Sequence, residues 1–164
     1  MTTTRINSAL DLSRHMHMLH HLSFAVSDIA RSAVFYDATL SALGYVRVFA
    51  DEAAVGYGST GGEDKFAIKL RSRGVMVPGD GFHVAFSAPS QRAVDRFYRA
   101  ALDHGGRDNG GSGFHPEYGK NYYAAFVLDP DGYRVEAVIN EKVQLPDPTP
   151  ALIMPPARQP PRQP

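Results

Sequence analysis

Two histidines and one glutamate carry the chemistry that can be read from this chain. His21 precedes Leu22-Ser23-Phe24-Ala25-Val26 and His83 precedes Val84-Ala85-Phe86-Ser87, while Glu136 sits inside Arg134-Val135-Glu136-Ala137-Val138-Ile139. In strand geometry successive side chains point to opposite faces, so both imidazoles fall on the face opposite Phe24 and Phe86. Glu136 likewise falls opposite Val135, Ala137 and Ile139. A carboxylate within so apolar a strand needs a partner. The 164 residues include no cysteine, which removes disulfides, thiolate nucleophiles and thiolate zinc sites and leaves His and carboxylates to hold any metal. Two imidazoles and a carboxylate converging on one face suit a divalent iron, manganese, nickel or zinc ion with open positions. Three separate polar residues on a wet sheet face is the other reading of the same pattern.

Positioning these residues takes two copies of one unit. Displacing the sequence by 62 positions, without a gap, brings His21, Phe24, Phe35, Tyr36, Ala38, Leu40 and Gly44 onto His83, Phe86, Phe97, Tyr98, Ala100, Leu102 and Gly106. Each copy begins with a strand. Asp28 and Ser90 stand where helix N-caps belong, and Val94, Phe97, Ala101 and Leu102 have helical spacing. Gly44 and Gly105-Gly106 end the two helices. Short strands are expected at 45–49, 54–57 and 66–70 in the first unit and at 123–128 and 134–139 in the second, the last two joined by the turn Asp129-Pro130-Asp131-Gly132. The expected fold is α+β: two paired β-α-β-β-β units (about 19–74 and 80–141) form a cupped mixed sheet, with the helices on its outer face.

Outside 19–141 the composition changes. Residues 1–18 are Thr-, His- and Met-rich without periodicity and read as an N-terminal arm. Residues 142–164 hold eight of the twelve prolines and read as a Pro-rich tail. His15, His17 and His20 lie in or beside the arm, and His20 should point away from the His21 face. Gly56-Tyr57-Gly58-Ser59-Thr60-Gly61 matches a dinucleotide fingerprint in form but leads into a strand, so it lacks the helix N-terminus a phosphate would need and reads as a hairpin loop. With 17 Lys+Arg against 17 Asp+Glu the formal charge is zero, which disfavours nucleic acid and anionic membranes as partners. No stretch reaches a signal peptide or a membrane span, so a cytoplasmic protein is expected.

The strings His21-Leu-Ser-Phe-Ala-Val-Ser-Asp28, Phe35-Tyr36, Leu43-Gly44-Tyr45, Phe82-His83-Val-Ala-Phe86 and Asp129-Pro-Asp-Gly-Tyr-Arg-Val-Glu136 resemble the vicinal oxygen chelate superfamily. That group includes glyoxalases, extradiol dioxygenases, fosfomycin-resistance enzymes and bleomycin-resistance proteins. The resemblance covers about 19–141 and implies metal ligands on the first and last strands of each unit, which map onto His21, His83 and Glu136. The remaining position falls on Lys69, a departure from the four-ligand glyoxalase pattern, because an ammonium repels a dication. Three ligands are closer to the dioxygenase and fosfomycin-resistance arrangement, although one pair of units argues against a typical extradiol enzyme.

The resemblance therefore implies a homodimer acting as a metal-dependent enzyme on a small oxygen-rich molecule, by lysis, isomerisation, thiol addition or oxidative ring opening. Its rival is a metal-free protein that sequesters a flat antibiotic or metabolite, which Lys69 favours. Candidate catalytic groups are Glu136 and, from the Gly-rich loop 109–121, Tyr118 and His115. Lys69, Tyr122 and Tyr123 are candidate substrate contacts.

Overall fold

The computed structural model describes residues 18–71 and 73–140. The arm up to residue 17 and the Pro-rich tail, with His15 and His17, lie outside them. The first unit runs β1 (Leu22–Val26), α1 (Ile29–Ala42), β2 (Val46–Ala50), β3 (Ala54–Gly58) and β4 (Phe66–Leu70). The second runs β5 (Val84–Ser87), α2 (Gln91–Asp103), β6 (Arg107–Asp108), β7 (Gly113–Phe114), β8 (Tyr123–Leu128) and β9 (Arg134–Ile139). Both helices start at the expected caps: the Asp28 carboxylate accepts from the Arg31 N–H at 3.0 Å and the Ser90 hydroxyl oxygen from the Ala93 N–H at 3.1 Å. No helix among the described residues is long and apolar enough to cross a membrane.

The strand orders β1-β4-β3-β2 and β5-β9-β8-β6 are the same topology twice, each with its first strand parallel to its last. The internal repeat is thus a repeat of architecture. One feature differs from the expectation of a single sheet: the two units form separate hydrogen-bonded sheets, with β1 and β5 each at an edge. The 62-residue offset carries no information on how the copies join, and side-chain packing joins them here. The second unit also uses two short strands, β6 and β7, against β8. Gly56–Gly61 is strand and turn, closed by the Gly62 N–H donating to the Ser59 carbonyl, and no helix follows.

One core serves both units. Phe24 stacks on Tyr133 with centroids 4.1 Å apart, Phe66 meets Phe86 edge-on at 5.1 Å, and α1 packs against α2. Where α2 returns to the sheet the chain passes so close to α1 that a Cβ at Gly106 would lie 2.7 Å from the Phe35 ring, which only glycine avoids. Asp129, fully buried, ties the units by hydrogen bonds. One carboxylate oxygen accepts the backbone N–H groups of Asp131, Gly132 and Tyr133 at 3.0, 2.8 and 2.8 Å, and the other accepts the Tyr36 hydroxyl of α1 at 2.7 Å. Asp131 accepts from Ser27, Arg31 and Ser32, again across the units.

Asp129→Ala removes the carboxylate that accepts from four donors, of which the Gly132 N–H also keeps the carbonyl of residue 129, so urea denaturation should register a loss of about 3 kcal/mol. Asp129→Asn keeps the oxygen facing the turn and should lose clearly less; equal losses would separate the turn from the stability of the fold.

Candidate functional site

Alternation along β9 turns Val135, Ala137 and Ile139 into the core and leaves Glu136 on the other face. Register then selects its neighbours: Glu136 lies between Ala85 of β5 and Phe126 of β8. The Glu136 side chain is only 1% exposed, yet it lines a cavity of about 570 Å³ on that face. Its two oxygens have different partners. Oε1 accepts the Tyr122 hydroxyl at 2.5 Å, and Oε2 lies 3.2 Å from His83 Nε2, on an imidazole that is 54% exposed. Burial, and then the hydrogen bond to Glu136, push the Tyr122 phenol well above its ordinary value, so it stays a donor at neutral pH.

Opposite this group the loop between β7 and β8 supplies the outer wall. The His115 N–H donates to the Tyr122 carbonyl at 2.9 Å and the Tyr118 N–H to the His115 carbonyl at 3.0 Å, which folds the loop back over the sheet. Tyr118 meets Tyr122 edge-on at 5.3 Å and is 62% exposed. The His115 ring is stacked with Tyr118, set edge-on against Phe126, and placed with Nδ1 3.0 Å from Glu117 Oε1. Glu117, Tyr118 and Phe126 all line the cavity. Its own backbone N–H and the His115 ring hold the Glu117 carboxyl below the ordinary glutamate range. Arg134 also lines the cavity, with its charge engaged by Asp80.

The structure therefore brings His83, Glu136, Tyr122 and Tyr118 around one space, while His115 packs against Tyr118 and Phe126 and is not among the residues that line it. It places the other candidates elsewhere. His21 is on the unit carrying the other sheet, and among the described residues no three His, Asp or Glu side chains of one chain are grouped to hold a metal ion. His20 and His21 precede the first residue of β1, so strand parity does not separate them as expected; their Nδ1 atoms are 3.0 Å apart. Lys69 is half-buried in register with Ala25 and Ala54, and among the described residues it has no hydrogen-bond or ion-pair partner. Tyr123 takes the face opposite Tyr122 and donates to Asp95 of α2 at 2.8 Å, which places it on the helix side of the sheet rather than in the cavity.

Phe126 and Asn109, which also line the cavity, were not singled out by the sequence reading. Phe126 could have been found by counting across the Asp129–Gly132 turn, which pairs it with Glu136. Nothing in the local pattern marks Asn109, or Glu117 as the partner of His115. A second cavity, about 300 Å³, opens between the units among Leu22, Leu40, Phe66, Val84 and Phe86, and none of the candidate residues lines it.

A family model described as the Glyoxalase/Bleomycin resistance protein/Dioxygenase superfamily matches residues 18–137. Among solved structures, a glyoxalase/bleomycin resistance protein from Albidiferax ferrireducens is 30% identical, with a TM-score of 0.64 over 74% of this chain and 98% of that one. A glyoxalase-related enzyme from Fulvimarina pelagi is 21% identical, with a TM-score of 0.58 over 76% of this chain and 89% of that one. The fosfomycin resistance protein FosX from Mesorhizobium loti is 16% identical, with a TM-score of 0.57 over 77% and 95%. These last two show likeness of fold alone. A comparison with curated proteins finds no match.

The Tyr122 hydroxyl has a folded-state pKa above the unfolded value of 10.0. Its contribution to stability is therefore complete below pH 10 and is lost as the pH rises through the folded value. Absorbance titration of phenolate should show one late-titrating group that Tyr122→Phe removes. A phenol titrating normally at Tyr122 would contradict the bond to Glu136.

Proposed function

Since this chain belongs to the glyoxalase/bleomycin resistance protein/dioxygenase superfamily, we propose that it is a metal-dependent enzyme acting on a small oxygen-rich molecule, with His83 and Glu136 as two of its metal donors. One observation carries the reading: Glu136 is a buried carboxylate at a cavity wall, and the group opposite its second oxygen is an imidazole nitrogen rather than a Lys or Arg. An imidazole nitrogen and a carboxylate oxygen 3.2 Å apart are a donor pair that suits a divalent cation. The ring nitrogen must be neutral and unprotonated to bind, so uptake of the ion releases a proton.

Two donors are fewer than the three a facial site uses, and His21 of the same chain is not grouped with them. A homodimer in which the partner subunit's His21 faces His83 and Glu136 completes the set. The open edges of β1 and β5 support such a dimer, because an unpaired edge favours association with a second copy. Bound there, a divalent ion supplies Lewis acidity toward two adjacent substrate oxygens.

The chain's own residues do the remaining work. Tyr122, held protonated, keeps Oε1 of Glu136 occupied and so fixes which oxygen faces His83. Tyr118 and Phe126 offer aromatic walls to a small molecule, and the Asn109 amide adds a neutral polar group. Glu136 and Tyr118 line the cavity and are the groups available for proton transfer there, with His115 packed against Tyr118 outside the lining. A metal-free sequestering protein is the second reading, favoured by Lys69, whose unpartnered ammonium stands at the position where a fourth donor would be expected.

Elemental analysis together with light scattering tests the proposal. The purified protein should take up a divalent ion in stoichiometric amount as a dimer, with affinity falling as the pH drops through the histidine range near 6.5. Glu136→Gln should weaken binding about 100-fold or more, because even outer-shell changes lose ~10–100-fold. Lys69→Glu should tighten it. A monomer at micromolar concentration that takes up no ion, yet binds a flat aromatic ligand, would establish the sequestering protein instead.

A further inference from the structure

We propose that Arg134 is the recognition residue for a carboxylate on the molecule that fills the cavity beside Glu136, and that Asp80 occupies its guanidinium until that molecule arrives. The substrate class is thereby narrowed to small acids with a flat apolar body. This deepens the metal-dependent reading and rests on it only for taking this cavity as the substrate site; the contacts to the acid need no ion.

Arg134 opens β9 and stands two residues before Glu136, so alternation puts both side chains on the same face, with Cα atoms about 7 Å apart. Among the described residues that line the cavity it is the one permanent cation. The two acids of the lining already have partners: Glu136 accepts from Tyr122 and faces His83, and Glu117 lies against the His115 ring. Both repel a further carboxylate, so an acid entering this space has one end at which it can rest. Its opposite end then faces His83 and Glu136. The other walls include Tyr118 and Phe126, whose rings suit a flat apolar body.

The guanidinium already holds a carboxylate. Its Nη2 is paired with Asp80, and its Nη1 lies 3.4 Å from the Gly79 carbonyl, both in the segment that joins the two units. The Asp80 side chain is 98% exposed, against 33% for Arg134. An ion pair whose acid stands in open water contributes little, because solvent screens it and ordering the side chain costs entropy. A carboxylate held within the cavity, partly out of water, competes for the same donors, and a guanidinium grips it through two parallel N–H···O bonds. Asp80 thus stands in for the ligand. Were the pair only a tie that pins the joining segment to β9, removing either partner should act in the same direction. Competition requires opposite directions.

Calorimetric titration of the full-length protein with benzoate and its neutral isostere benzamide, before and after metal loading, tests the assignment. Without an ion to hold the acid, benzoate should bind about 10-fold more tightly than benzamide. Arg134→Gln should abolish that preference and leave the affinity for benzamide unchanged. Arg134→Lys, which keeps the charge and loses the fork, should retain part of it. Asp80→Asn should tighten benzoate about 2- to 5-fold, the worth of an exposed pair, with no effect on benzamide. Because Asp80 is exposed, this variant carries the test even if Arg134→Gln does not fold. Equal affinity for the two probes, or no binding of either at millimolar concentration, overturns the proposal. Weaker benzoate binding in Asp80→Asn overturns it in favour of the tie. Benzoate bound only after metal loading, and indifferent to Arg134→Gln, puts the acid on the ion and overturns the proposal while the metal reading stands. A protein that takes up no ion yet shows the Arg134-dependent preference keeps the carboxylate site and loses the metal reading.

Discussion

The Asp129 carboxylate is the interaction on which the rest of this structure depends. It accepts three consecutive backbone N–H groups of the turn between β8 and β9 and, through its other oxygen, the buried hydroxyl of Tyr36 on α1. The turn sets the register of the last hairpin, and that register places Glu136 opposite Phe126 and beside Ala85. A shift of one residue would turn Glu136 into the core and Val135 or Ala137 into the cavity. The same carboxylate joins the two units, since Tyr36 belongs to the first and the turn to the second. Geometry at the cavity and cohesion between units thus share one anchor.

With the helix side of the second sheet filled by Phe97, Val94 and Ala101 of α2, the opposite side is free for polar chemistry. What distinguishes that side is its order of protonation. Tyr122 is held as a donor, Glu117 as an acceptor, and Glu136 lies between a phenol and an imidazole. The phenol and the Glu117 carboxyl have been pushed in opposite directions by burial on one side of the cavity and by hydrogen bonds on the other. Such separation of donors from acceptors gives a site directionality in proton transfer.

Duplication explains both the similarity and the difference of the two units. Their strand orders match, and His21 and His83 each stand one residue before the first strand of a unit. Their companions have diverged. His83 has a carboxylate from the last strand of its own sheet, whereas the corresponding strand of the first unit carries Lys69, half-buried between Ala25 and Ala54. One unit has kept an acidic partner for its histidine while the other presents a cation.

Much of this was legible in the residues. The helix caps at Asp28 and Ser90, the strand runs, the turn at Asp129–Gly132 and the offset repeat are local patterns, and local hydrogen bonding and side-chain alternation are sufficient to produce them. Glu136 was marked by its isolation among apolar neighbours, and His83 by its echo at His21. Other features needed the tertiary structure, because they depend on register and packing between segments distant in sequence. Which sheet each histidine serves, the pairing of Tyr122 with Glu136, and the turning of Tyr123 toward Asp95 all follow from how β8, β9 and α2 meet. The loop bond from Glu117 to His115 joins residues two apart, yet the ring stays in place because Phe126 of β8 lies against it. The sequence by itself determined the units, their caps and the kinds of side chain available to a site; the tertiary structure decided which of those side chains face one another, because strand alternation assigns each residue to a face and only the packed sheets assign neighbours to that face.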